Sequence, residues 1–253
     1  MCGRYASTRG ATDLSVLFEA VDCTGDETFA ANYNVAPTDP VYVVRHSASR
    51  AERVVEVARW GLLPPWATER RAGARMINAR VETVRTSRAF RVPFARRRCL
   101  VPADGWYEWQ RTDGGKQPYF LNPYEGGVLA FAGLWEMWGG AEARDGADRG
   151  GAEAPERLLT VTILTTAAVG ELSEVHDRMP VALPASRWVP WLRSDPDSAE
   201  RLLADPSWTA GIERRPVGAA VGDVRNNSAG LIQRVTAPIP AVNPVGPVDL
   251  TLF

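Results

Sequence analysis

The sequence predicts an α+β fold built mainly on β-sheet, with helices at its periphery. Three observations point there: six runs of apolar or alternating β-type residues, turn signals between them, and few segments with helical spacing. The runs are VYVVR (41–45), RVVEVARW (53–60), RCLVPA (98–103), WYEWQ (106–110), VLAFAGLWEMW (128–138) and LLTVTILTT (158–166). DGG at 113–115, NPYEGG at 122–127 and several prolines supply the turns. Four stretches read as helix: TDLSVLFEA (12–20), entered through a threonine cap, VETVRTSRAF (81–90), SRWVPWLR (186–193) and SAERLLA (198–204). The segment 139–156 is rich in glycine, alanine and charge and lacks aromatic or β-branched residues. It buries too little apolar surface to offset its ordering entropy, so a flexible loop joining two strands is expected there. The proline-punctuated stretch 239–253 is expected to lie extended on the surface.

With 253 residues, 45% apolar and 23% charged, the chain has an ordinary globular balance and is read as a single domain. No window approaches the 18 or so uninterrupted apolar residues of a membrane span. MCGRYASTRGATDLS has no apolar core of a signal peptide, so a cytoplasmic protein with reduced thiols and no membrane partner is expected. Cys2, Cys23 and Cys99 lie far apart without a C-x-x-C pair, and His46 and His176 are the only histidines. Metal-ligand spacing is missing, and no metal or organic cofactor is expected. Net charge is −1, yet Arg70–Arg98 holds ten arginines and one acid, Glu82. The arginines are interleaved with Met76, Phe90 and Phe94. That mixture suits a groove that follows phosphates and stacks bases, although a solvated basic face is the plainer alternative.

Four stretches bring reactive side chains together: MCGR (1–4), MINARVET (76–83), VPADGWYEW (101–109) and EVHDRMPVAL (174–183). Each also has a structural reading. Asn78 suits a helix cap, Glu108 an outward position on an edge strand, His176 a satisfied structural histidine, and Asp177–Arg178 a loop ion pair. Taken together they carry more. A glutamate among three aromatics has its pKa raised by desolvation, and a histidine is the natural second proton carrier. An asparagine orients an amine or oxyanion without adding charge.

MCGRY, YNVAPT (33–38), RWGLLPPW (59–66), INARVET (77–83), RRCLVPADGWYEW (97–109), FAGLWE (131–136), LTTAA (164–168) and VHDRMPVAL (175–183) resemble, in order, the signature blocks of the SRAP family (SOS response-associated peptidase). VRNNSAGLI (224–232) resembles its closing block, and the insertion at 139–156 is the main departure. The resemblance implies one SRAP-like domain, a barrel-like mixed or antiparallel sheet with peripheral helices. It also implies a DNA-damage protein that cross-links covalently to abasic sites in single-stranded DNA, as a monomer, at stalled forks or single-/double-strand junctions near the nucleoid. Removal of Met1 would leave Cys2 with a free α-amine, whose pKa of about 7.7–8.0 leaves far more neutral amine than a lysine at about 10.4. The amine would attack the ring-opened aldehyde to give an imine, and the thiol would close a thiazolidine. By the same resemblance Asn78 would position the amine, Glu108 would shuttle protons, and His176 would assist beside the sugar hydroxyl. Arg4, Arg80 and Arg178 would grip phosphates, and Trp66 would stack on a base or wedge a duplex, a core tryptophan being the equal alternative because no sequence rule separates the two. Lyase activity and self-cleavage of Met1 stay open. Two other functions remain: a cysteine peptidase using Cys2 and His176, and a non-catalytic single-stranded nucleic-acid binder.

Overall fold

The computed structural model describes residues 2–139 and 157–236; Met1, all but residue 139 of the loop expected at 139–156, and the extended stretch expected at 239–253 lie outside the described residues. Along the chain run β1 (Tyr5–Ser7), α1 (Ala11–Leu17), β2 (Val21–Asp22), β3 (Asn32–Val35), β4 (Pro40–Ser47) and β5 (Glu52–Trp60). There follow β6 (Asn78–Arg80), α2 (Arg91–Arg96), β7 (Arg98–Ala103), β8 (Gly105–Thr112), β9 (Gly115–Pro123) and β10 (Leu129–Trp138). The last elements are β11 (Leu158–Ala167), β12 (Arg178–Pro180), α3 (Ala185–Arg193), α4 (Pro196–Leu202) and β13 (Ile212–Pro216). All six predicted strand runs are strands. Among the described residues, no helix is long and apolar enough to cross a membrane.

The helix expected at 81–90 is not formed. Those residues make successive turns, with the Thr83 carbonyl accepting from the N–H groups of both Thr86 and Ser87, and α2 starts only at Arg91. Val81, Thr83, Val84 and Thr86 are β-branched and poor in a helix, and Val84 alone in this stretch is buried, so no apolar stripe repays helix formation. α2 takes Pro93 within its first turn, where the missing N–H costs nothing.

The strands form two sheets. One is antiparallel, in the order β13-β9-β8-β1-β3. The other is mixed, in the order β12-β11-β10-β7-β4-β5-β2, with β6 beside β11. β11 also pairs in parallel with β5, through Thr160↔Arg59 and Val161↔Trp60, so β5, β4, β7, β10 and β11 close a ring of pairings. Pro102 lies one residue before the end of β7 without breaking it. β10 pairs along the whole of β7, whereas β4 reaches only Cys99 and Leu100, so the absent N–H falls on an unpaired side.

Two large apolar clusters, with two smaller ones, fill the interior. One of the large clusters contains Leu14, Phe18, Phe94 and Trp191; the other contains Cys2, Tyr5, Trp60, Trp106, Phe131 and Met179. Trp60, Trp106 and Trp191 are fully buried, and a tryptophan removes on the order of 200 Å² from water, worth roughly 5 kcal/mol of gross transfer free energy. The indole N–H of Trp60 donates to the Ile77 carbonyl at 3.0 Å, tying the core to the residue before β6. A second constraint on that segment is a glycine apposition. A Cβ on Gly73 would sit 2.5 Å from the Gly61 oxygen, and Gly61 itself has φ +124°, open to glycine. Only paired glycines let 70–76 lie this close to the end of β5, which delivers β6 to β11.

Arg98, expected among phosphate-facing arginines, is buried instead. Its guanidinium donates to the carbonyls of Trp191 (2.5 Å), Phe94 (2.7 Å) and Ser194, capping the ends of α2 and α3. Arg98→Met leaves these acceptors dry. The expected loss is about 3 kcal/mol, read from urea denaturation.

Candidate active site around Cys2

Cys2 precedes β1, which pairs antiparallel with β8, the strand that carries Glu108, and its side chain is fully buried. β1 is held between β8 and β3 by Tyr5↔Trp106 and Tyr5↔Val35, so the chain's second residue is fixed by a sheet rather than left to fray. β6 brings Asn78 to the same point: its Nδ2 donates to the Cys2 carbonyl at 2.7 Å. Among the described residues, Asn78 Oδ1 is buried without a hydrogen-bond partner, so one acceptor at Cys2 is left over.

Glu108 lies on β8 with 3% exposure, and burial pushes its carboxyl up to about 7. His176 follows a short 3-10 turn, Gly170–Glu174, and its Nε2 stands 4.0 Å from Glu108 Oε2. Burial lowers the imidazole from its ordinary value. Its Nδ1 accepts the Arg178 N–H at 3.0 Å and lies 2.8 Å from Asp177 Oδ1. The first contact suits a neutral ring protonated on Nε2, facing Glu108; the second suits the imidazolium. Desolvation thus favours the uncharged form of both groups, a carboxyl that keeps its proton up to about pH 7 beside an imidazole biased toward neutrality. The Cys2 thiol is driven well up, first by burial and then by the Glu108 charge, so it stays a thiol in the resting site.

The turn that presents His176 is braced from outside. Arg214 on β13 pairs with Glu171 (3.0 Å) and Glu174 (2.6 Å), and Gln110 donates to the Glu174 carbonyl at 2.9 Å. Sequence inspection missed this brace, because the contact spans some forty residues and no local pattern marks it.

The four expected DNA contacts are placed less uniformly. Arg80 ends β6 and is exposed. Arg178 opens β12, held by Glu82 at 2.6 and 3.0 Å and by the Thr165 carbonyl at 2.7 Å. Glu82, the lone acid of the basic segment, thus occupies the guanidinium face that a phosphate would take. Arg4 turns away from solvent, donating to Asn34 Oδ1 (2.7 Å) and the Val221 carbonyl (2.9 Å); in this arrangement it clamps the turn that precedes the closing block to β3. Trp66 is 39% exposed, with the Arg88 guanidinium 4.7 Å above its ring. The basic segment is not one continuous face: Arg97 pairs with Glu136, and Arg85 with Asp197 and Glu200, while Arg75, Arg80, Arg91 and Arg96 face solvent.

These features define a β-rich protein whose second residue is a buried cysteine, anchored by an asparagine and flanked by a near-neutral carboxyl and a histidine. The chain belongs to the SOS response associated peptidase (SRAP) family, whose model matches residues 1–224. It is 34% identical over 237 residues to the abasic site processing protein YoqW of Bacillus subtilis (strain 168), covering 92% of this chain and 99% of that one. Identity is 32% over 242 residues with the abasic site processing protein YedK of Escherichia coli (strain K12), covering 93% and 100%. With the abasic site processing protein HMCES of Gallus gallus it is 28% over 281 residues, covering 95% and 80%. A crystal structure of a Bacteroides thetaiotaomicron protein shares the fold, with a TM-score of 0.76 at 20% identity over 93% of this chain and 100% of that one. A phage-related protein of Bordetella bronchiseptica gives a TM-score of 0.61 at 30% identity over 85% and 94%.

The bond from Asn78 makes a direct prediction. Asn78→Ala frees the Cys2 backbone, and any reaction at Cys2 should slow about 10- to 100-fold while DNA binding holds, because a displacement of about 1 Å can cost that much. Single-turnover rates beside equilibrium binding would check it.

Proposed function

We propose that this chain captures abasic sites in single-stranded DNA by covalent attachment through Cys2 once Met1 is removed. The observation that carries the reading is the Asn78–Cys2 bond beside Glu108 and His176, which fixes a second residue as tightly as a catalytic one. The relatives named as abasic site processing proteins support the same substrate.

The steps balance without an outside reagent. Protonated Glu108 gives a proton to the sugar ring oxygen as the ring opens to the aldehyde, and His176 takes the proton of the hydroxyl at C1′. The neutral α-amine of Cys2 adds to the carbonyl carbon, giving a carbinolamine. As the amine adds, its extra proton returns to the Glu108 carboxylate and the His176 imidazolium gives its proton to the alkoxide; Glu108 then protonates the carbinolamine hydroxyl, water leaves, and return of the N–H proton to Glu108 leaves the imine. The thiol sulfur bonds to the imine carbon while its proton passes to nitrogen, closing a five-membered thiazolidine. Closure is intramolecular, so proximity replaces a second encounter. The high thiol pKa fits an order in which the amine acts first and the thiol follows. A cysteine peptidase needs the opposite, a resting thiolate paired with its base.

Arg80 would meet phosphate directly, and Arg178 after exchanging Glu82 for it. Exposed Trp66 would stack at a single-/double-strand junction, as expected at a stalled fork. One protein molecule would serve each lesion, in the cytoplasm. Strand cleavage by β-elimination, or release of Met1, would draw on the same Glu108–His176 pair. The test is incubation of protein proven to begin at Cys2 with single-stranded DNA bearing one abasic site. A heat-stable adduct, lighter than the summed masses by one water, is expected on intact mass analysis; its absence overturns the reading.

A further inference from the structure

A recess of about 250 Å³ opens on Glu108 and His176, and its other walls are Trp109, Arg111 and Lys116. It falls below the roughly 300–1,000 Å³ of pockets that enclose drug-sized ligands, and so suits a sugar-phosphate better than a base. Arg111 and Lys116 lie directly opposite each other on the β8–β9 hairpin. Like charges in that position repel and destabilise a hairpin. Both side chains are exposed, and neither has a carboxylate partner among the described residues. An anion between them would offset that repulsion. Lys116 is also the only lysine of the chain, all other basic residues being arginine or histidine.

We infer that Arg111 and Lys116 form a phosphodiester-binding pair that seats the backbone beside the lesion over the Glu108–His176 recess. The inference rests on the proposed function for its substrate and adds the side from which the strand is held. The guanidinium offers a planar fork and the ammonium a compact point charge, and together they can grip two oxygens of one phosphate or neighbouring phosphates. Neither residue stands out in the sequence, because they lie beyond WYEWQ and across the turn from one another. Only the hairpin register brings them to the site.

The test separates this inference from the reading beneath it. The probe is a single-stranded oligonucleotide carrying tetrahydrofuran, an abasic analogue that cannot form an imine. Its affinity is measured across a salt series for the wild type, for Arg111→Gln/Lys116→Gln, and for Arg193→Gln, an exposed arginine on α3 that controls for the reduced net charge. The slope of log K against log salt should fall by about 0.7 for each phosphate no longer neutralised, so by about 0.7–1.4 in the double variant and little in the control. Replacing backbone phosphates one at a time with methylphosphonate should reveal one or two positions that weaken the wild type and leave the double variant unaffected. The single lysine gives a second readout, since saturating oligonucleotide should protect Lys116 from acetylation. An unchanged slope in the double variant overturns the inference, whatever the acetylation result. Parallel cross-linking of the wild type to a true abasic site shows whether the parent reading stands by itself.

Discussion

Cys2→Ser protein that begins at residue 2 should fold, bind single-stranded DNA with wild-type affinity, and yield no heat-stable adduct. Serine keeps the α-amine, so the imine still forms. It lacks the sulfur that closes a stable ring, and the imine hydrolyses on heating. Reduction with borohydride before heating should restore a covalent band in Cys2→Ser and in Cys2→Ala alike. The unreduced adduct should fall by at least ~100-fold, because ring closure draws on the large effective molarities of intramolecular reactions. Folding should survive, since Cys2 behaves as a small buried hydrophobe, and trimming it to alanine costs on the order of 1 kcal/mol. Protein that retains Met1 is the complementary case. It keeps the thiol but has no free amine on Cys2, so neither the stable adduct nor the reducible imine at Cys2 should appear. A cysteine peptidase reads the other way: its thiol would suffice with Met1 in place. Intact mass with and without borohydride distinguishes the two chemistries, and a borohydride-resistant loss of all attachment in Cys2→Ser would remove the amine from the mechanism.

The strands that frame this site are legible because burial on a pleated surface leaves its mark in short runs. RCLVPA is buried at every position and becomes β7 with both ends as read. β9 escapes notice because Pro118 and Pro123 demote KQPYFLNP as a strand, yet β9 holds through pairing with β8 on one side and β13 on the other. β1, β3, β6 and β12, each of three or four residues, are too short to show a period; β1, β6 and β12 exist because long strands offer them partners, and β3 because β1 does. The helix expected at 81–90 fails for the converse reason: β-branched residues weaken it, and with Val84 alone buried no packing compensates. In the site, Cys2, Asn78, Glu108 and His176 stand out as unusual residues in tight contexts, and the fold brings them together. What the sequence hides is relational. The Glu82–Arg178 and Arg4–Asn34 contacts, and the Arg214 brace behind His176, depend on long-range packing. Composition alone shows basic residues and cannot say which are already engaged.

Glu108→Gln should lose activity and gain stability together, and the pairing of the two effects is what makes it informative. Burial raises the Glu108 carboxyl from 4.5 to about 7, so the folded state holds this proton more tightly than the unfolded chain. The sign follows. Below about pH 4.5 the group is protonated in both states and costs nothing; as pH rises toward 7 the unfolded chain ionises freely while the fold resists, and stability falls. Above about 7 the full penalty is present, on the order of 1–3 kcal/mol. Glutamine cannot ionise, so Glu108→Gln should be more stable than wild type by about that amount near pH ~8, and near equal at about pH 4.5. Urea midpoints at the two values check this. Cross-linking should meanwhile slow about 10²- to 10⁴-fold, the usual worth of a positioned acid–base group, with binding to the tetrahydrofuran oligonucleotide retained. The pH profile should change shape as well. In the wild type, deprotonation of Glu108 near 7 limits the alkaline side, while protonation of the amine limits the acid side; Glu108→Gln should keep only the amine limb. Equal loss of binding and of rate would make Glu108 a structural residue. A stability gain beside a rate loss would mean that the fold tolerates a buried carboxyl for the sake of the proton it carries.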